Sequence, residues 1–320
     1  MANLSAGAFK MTKDLILSYA TDIQFDDLRR LIVSARKFCP SDQVDIVVII
    51  NSLGDRFAEL ADEHDVQLFS CYSVWKQIRP YKPLRLFYRL VLGAATYIDR
   101  HPGLFGSPEV CNLVHRTLAA PWLHASCQRY IIAEDLLRVR STYRMVFLTD
   151  ARDVVLQANP FDSLDPEKLH VFLHQHEIYG EQNIDSTWLT SVLGSARASQ
   201  LKGKVVSCCG TTIGGRRILL TYLKKMISSI LQHQFHVLDQ VPHNEIIYLD
   251  FPPDEIVIHP NADGEVLTLA GMTSADVDLT ENDVRLQGKL VPVVHMYDRV
   301  KEINDLFYRL YPSGANSNAS

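Results

Sequence analysis

Apolar residues in this chain fall into two patterns: short unbroken runs, and longer stretches where they recur every third or fourth position. The run Asp14-Leu-Ile-Leu-Ser-Tyr-Ala20 is of the first kind and predicts a strand. Behind it, Phe25, Leu28, Leu31, Ile32, Ala35 and Phe38 sit at helical spacing until Pro40 stops the helix. Asp45-Ile-Val-Val-Ile-Ile50 predicts a second strand, Phe57, Leu60 and Ala61 a helix, and Val66-Gln-Leu-Phe69 a third strand. That alternation is the signature of right-handed parallel β-α-β units.

Helical spacing resumes from Pro83 to Asp99 and again from Leu123 to Arg138. Between them the segment 101–122, with its Pro and Gly, reads as a helical insertion. The second helix leads into Tyr143-Arg-Met-Val-Phe-Leu-Thr149, apolar almost throughout, as a strand buried on both faces must be. Further strands are expected at His170–His174, Val205–Cys208, Ile246–Leu249, Ile256–Ile258 and Val291–Val294. Leu219, Tyr222, Leu223, Met226, Ile230 and Leu231 line one side of a helix within Arg216–Phe235. No internal repeat is visible, so residues 1–312 read as one α/β domain, and the composition of 313–320 reads as a disordered tail.

Composition then narrows the function. With 47% apolar residues, the 320-residue chain can bury a core large enough for one elaborated domain. A net charge of -5 gives no general attraction to nucleic acid or anionic lipid, so any basic site must be local. The N-terminal stretch lacks the apolar core of a secretory signal, and no apolar run is long enough to span a bilayer. A cytoplasmic protein without a transmembrane segment is expected. The six cysteines lack C-x-x-C spacing and read as reduced core residues. Neither G-x-G-x-x-G nor G-x-x-x-x-G-K-[ST] is present, so any nucleotide is held by another device.

The candidate chemistry follows the best strand directly, at Asp150-Ala151-Arg152-Asp153. Ligands of open α/β sheets bind beyond the carboxyl ends of strands, and two carboxylates there suit Mg²⁺ or Mn²⁺ with positions left open for a diphosphate. The structural alternative is a turn capped by Asp150, with Asp153 paired to a base. Lys76, Arg79, Lys82, Arg85 and Arg89 form a basic cluster that could offset a diphosphate, as could Arg129, or they could simply be a solvated face.

Apolar strand, acidic pair, Val154-Val155-Leu156 and Asn159-Pro160-Phe161 together resemble the glycosyltransferases of the GT-A fold. That resemblance implies a Rossmann-like, mostly parallel central sheet flanked by helices, the nucleotide-diphospho-sugar transferase fold. It further implies that Asp153 binds the metal and that Asp150 reaches ribose or metal, although D-x-x-D is one residue longer than the usual D-x-D. Cys208-Cys209-Gly210-Thr211-Thr212 and Asp239-Gln240-Val241-Pro242-His243-Asn244 extend the likeness to the glycogenin-like and lipooligosaccharide galactosyltransferase group. By that comparison Gly210 lies against the transferred sugar, while Asp239 and Gln240 face the donor. The structural alternatives are a tight turn at Gly210 and a helix N-cap at Asp239. His295, after the last strand, would complete the metal shell or be structural, and Tyr19 stands where nucleotide bases commonly settle. The group's H-x-x-G-x-x-K-P-W tail is absent, so the likeness is at fold level.

These readings imply a metal-dependent, retaining glycosyltransferase that moves a sugar from a nucleotide-diphosphate donor to a carbohydrate or other hydroxyl acceptor, with no nucleic-acid partner. A nucleotide-sugar-binding protein of the same fold without turnover is the alternative. A sugar-1-phosphate nucleotidyltransferase fits less well, because Tyr19–Phe25 lacks the Gly- and Arg-rich loop that such enzymes carry.

Overall fold

The computed structural model describes residues 13–51, 53–73, 82–101, 103, 107–177, 184–233 and 239–313, some of them, Arg85 among these, by backbone alone. The strands are β1 (Lys13–Ala20), β2 (Val44–Ile50), β3 (Val66–Ser70), β4 (Tyr143–Asp150), β5 (Val154–Leu156), β6 (Leu169–Glu177) and β7 (Val205–Gly215). They continue as β8 (Ile256–His259), β9 (Val266–Thr268), β10 (Asp278–Leu279), β11 (Val284–Leu286), β12 (Lys289–Leu290) and β13 (Val293–His295). Seven of them form the main sheet in the order β3-β2-β1-β4-β7-β6-β8, in which only β7 runs antiparallel to its neighbours.

The unbroken apolar runs are explained by burial on both faces. Alternate residues of β1, β2 and β4 feed two different cores: Leu15, Leu17, Val47, Ile49 and Val146 one, Ile16, Ile46, Val48, Met145 and Phe147 the other. Helix Phe25–Phe38 covers the second core through Leu28, Leu31, Ile32 and Ala35, and its Asp26, Asp27, Arg36 and Lys37 suit the helix dipole. Helices Ala125–Val139 and Arg216–Gln232 cover the first core. Phe147 has no exposed surface, and truncating it to alanine would cost about 3–5 kcal/mol.

A small sheet, β5-β13-β9, lies beside the main one, with His295 paired to Val154. Its core, including Val155, Leu267 and Val294, packs on Ile303 and Phe307 of helix Lys301–Leu310. The segment expected as an insertion contains helix Pro108–Val114, a wide turn at His115–Ala119 and a short helix at Ala120–Trp122.

Two expectations need correction. Ile246–Leu249 is not a strand but part of a wide helical turn, Ile246–Asp250, that continues helix Gln240–Glu245 and closes with Phe251 N–H donating to the Ile246 carbonyl. Four apolar residues carry too little periodicity to tell the two apart. The strand starting at Val205 does not stop at Cys208 but runs to Gly215, so Gly210 lies within a strand rather than a turn. Of the tail, Ser313 hydrogen-bonds Asp26, and 314–320 lie outside the described residues.

Candidate functional site

At Asp150 the chain leaves the main sheet, and at Val154 it joins the small one. The D-x-x-D spacing is the length of that crossing, and it sets a carboxylate on each side of it. Opposite stands His295 at the end of β13, its backbone fixed by pairing with Val154 and Thr268. Met296, in the left-handed region at φ 57°, turns the chain immediately afterwards and donates its N–H to the Asp153 carbonyl at 2.8 Å. A left-handed non-glycine residue is uncommon and is kept by surrounding contacts, here at the rim of a cleft.

Ligand atoms of Asp150, Asp153 and His295 all lie within 4.8 Å of one another. His295 Nε2 is 3.6 Å from Asp153 Oδ1 and 4.0 Å from Asp150 Oδ2, and this buried nitrogen has no hydrogen-bond partner among the described residues. Burial alone would lower the His295 pKa, but Cys208, Asp153 and Asp150 outweigh it and raise it to about 10. An environment that holds a proton this firmly also favours a metal cation. Asp153 is pushed up, chiefly by burial. Burial pushes Asp150 up as well, but Arg129 and His295 more than reverse this and leave it below its ordinary value.

Arg129 is the hub of the neighbouring charges. It pairs with Asp150 on one side and with Asp239 at 2.5 Å on the other, and it hydrogen-bonds the Cys209 carbonyl at 3.2 Å. Tyr130 adds a hydrogen bond to Asp239 at 3.2 Å. Although burial disfavours the Arg129 charge, Tyr130, Asp239 and Asp150 hold it well above its ordinary pKa. Asp239 occupies the N-cap position of helix Gln240–Glu245, yet its side chain makes no capping bond and faces Arg129. Gln240 bonds the backbone of β7, donating to the Ser207 carbonyl and accepting from Cys209 N–H at 3.2 Å.

Gly210 keeps this arrangement possible. A Cβ at this position would overlap the Asp150 carboxylate and lie 3.2 Å from His295 Cε1. Tyr19, at the end of β1, hydrogen-bonds Gln128 Oε1 at 3.4 Å and contacts Cys71, and its hydroxyl pKa is raised by burial. An open cleft of about 690 Å³, including the space at its mouth, is lined by Tyr19, Arg129, Asp150, Asp153, Arg152 and Arg299 among others. The Arg85 side chain, with Lys76, Arg79 and Lys82, lies outside the described residues.

Sequence reading did not single out Tyr130, Arg152 or Cys208 as functional. Arg152 was visible within the acidic motif itself. Cys208 and Cys209 are adjacent in a strand and therefore point to opposite faces, one to His295 and the other to Arg129. Burial raises the Cys208 thiol, but His295 and His174 outweigh it and bring it down to about 6. All six cysteines are free thiols, five of them buried.

This arrangement sits on the fold of the GT-A glycosyltransferases, an α/β architecture shared with solved sugar transferases. The bifunctional glycosyltransferase WbbM in its apo structure is 12% identical, aligned over 95% of this chain and 50% of its own, with a TM-score of 0.51. The galactosyltransferase LgtC, in complex with donor and acceptor sugar analogs, aligns over 95% of this chain and 98% of its own at 11% identity and a TM-score of 0.47. Core-mannan synthase A from Aspergillus fumigatus, in its Mn/GDP form, aligns over 81% and 74% at 8% identity, with a TM-score of 0.37. No family model matches the sequence, and no curated protein matches it significantly. Among the described residues no helix is long and apolar enough to cross a membrane.

Proposed function

We propose that the protein is a glycosyltransferase that moves a sugar from a nucleotide-diphosphate donor to an acceptor hydroxyl, with Mn²⁺ or Mg²⁺ held by Asp150, Asp153 and His295. The observation that carries this reading is the unpartnered, buried His295 Nε2 facing two carboxylates at the end of the central strand. One imidazole nitrogen and two carboxylates are a fitting donor set for such a cation. When bound, the metal supplies charge neutralisation at the departing diphosphate.

The chain's own residues supply the rest. Arg152 and Arg299, exposed at the cleft, are positioned to contact phosphate oxygens. Arg129 orients Asp150 and Asp239 through its two ion pairs, leaving the Asp239 carboxylate to hold donor-sugar hydroxyls. Gly210 leaves room for the Asp150 carboxylate so that backbone can lie close to the sugar, and Tyr19 offers a ring for the base. The Arg85 cluster is a further source of positive charge. We infer retention at the anomeric carbon from the Asp239-Gln240 pair. Nuclear magnetic resonance of the first-formed product reads this directly, and an inverted product would reassign Asp239 to proton abstraction.

Asp153→Ala tests the reading. It should keep the fold and lose metal-dependent turnover by about a hundredfold or more. Near-full activity with Mn²⁺ would overturn the metal assignment. A second reading, a nucleotide-sugar-binding protein without turnover, is favoured by the Gln240 amide being bonded to β7 backbone. Donor hydrolysis with added Mn²⁺ separates the two.

A further inference from the structure

We propose that Cys208 is a positioning residue that aims His295 at the metal, by accepting the Nδ1 proton and so leaving the Nε2 lone pair directed at Asp150 and Asp153. This inference rests on the metal-site reading above. A neutral imidazole has one lone pair, and the nitrogen that carries it is set by what the other nitrogen bonds. In His295 the two nitrogens have different neighbours: Cys208 Sγ lies 3.6 Å from Nδ1, while Nε2 faces the two carboxylates. The ring is fully buried, so the Nδ1 donor has no water to fall back on and depends on a protein acceptor.

Two features of β7 hold the sulfur in place. Its neighbours on the strand are anchored, Ser207 by Asn244, which bonds both its N–H and its carbonyl, and Cys209 by Gln240. Residues two apart on a strand share a face, so Cys208 and Gly210 meet the same His295 ring, the first at Nδ1 and the second at Cε1. One residue of this face supplies an acceptor and the other supplies space. His174 of β6 also approaches the sulfur, and both histidines favour its role as an acceptor. No atom is transferred, and the sulfur works only through the orientation and tautomer of the ring.

The test is Mn²⁺ titration of the full chain by calorimetry, for wild type, Cys208→Ala, Cys208→Ser and Asp153→Ala. Removing a partner of this kind should weaken Mn²⁺ binding by about tenfold to a hundredfold in Cys208→Ala. A serine hydroxyl is still an acceptor, so Cys208→Ser should recover most of the loss, whereas a purely packing role would predict no such rescue. If Cys208→Ala melts early, Cys208→Val, which fills the volume without an acceptor, is read in its place. Unchanged Mn²⁺ affinity in the alanine variant, or equal loss in the alanine and serine variants, would overturn the role of Cys208. In either case, loss in Asp153→Ala leaves the metal reading standing. Failure of the wild type to bind Mn²⁺ would remove both.

Discussion

Gly210→Ala adds a single methyl group to β7, and the structure indicates what must give way. The new Cβ would lie 2.9 Å from Asp150 Cγ and 3.2 Å from His295 Cε1, with the nearer carboxylate oxygen overlapped. Carbon atoms pack at about 3.5–4.0 Å, so one group has to retreat by roughly 1 Å. β7 cannot, because Thr211 and Thr212 are laddered to β4 and Ser207 and Cys209 are tied to helix Gln240–Glu245. His295 is paired on both sides of its own strand. Asp150, with 37% of its side chain exposed toward the cleft, is the group that moves. The fold should survive with a loss of about 1–3 kcal/mol, typical of modest overpacking. A catalytic group displaced by about 1 Å costs on the order of a hundredfold in rate, or about 2.7 kcal/mol of barrier. Steady-state turnover with Mn²⁺, read beside thermal melting, separates these effects. A variant with wild-type turnover would show that Asp150 tolerates displacement and refute its role at the metal.

His295→Ala should weaken Mn²⁺ binding far more than nucleotide binding measured without metal, and equal losses by calorimetry would make it structural. Gly215→Ala would drive a Cβ into the Pro166 carbonyl, so it should lower the melting temperature, while the protein that remains folded keeps wild-type Mn²⁺ affinity. His243 is fully buried between Ser207 and Tyr222, and burial lowers its pKa to about 3. Its unfolded form takes up a proton near its ordinary pKa of 6.5, where the folded form does not, so stability should fall as pH drops from 6.5 toward 3. The loss between pH 6.5 and 5.5 should be about 1 kcal/mol. His295, raised to about 10, stays protonated in the folded state while its unfolded form is only half protonated at pH 6.5, so it offsets less than about 0.5 kcal/mol of that loss. A urea midpoint that stays constant from pH 6.5 to 5.5 would contradict the buried neutral His243.

β1, β2 and β4 were legible because burial on both faces keeps them apolar almost throughout, and the order of elements then implies a parallel sheet. Ile246–Leu249 was misread because the same apolar run serves a buried helical turn. β7 was cut short because Gly210 is a weak strand former, and here pairing with β4 and β6 overrides propensity. Asp150 and Asp153 could be found from their place after a strand. The double ion pair of Arg129 could not, since it joins residues far apart in sequence whose proximity only the topology creates.

The crossing from the main sheet to the small one has a consequence for the order of assembly. Asp150 is in place once β4 is made, but β5, the strand after Asp153, pairs only with β13, and His295 arrives only with β13, near the C-terminal end of the fold. A ribosome-bound chain that has already built most of its central sheet therefore still lacks its third ligand. The site matures last, when β13 slides between β5 and β9, and a cation that holds all three residues would act as a latch on that final docking step.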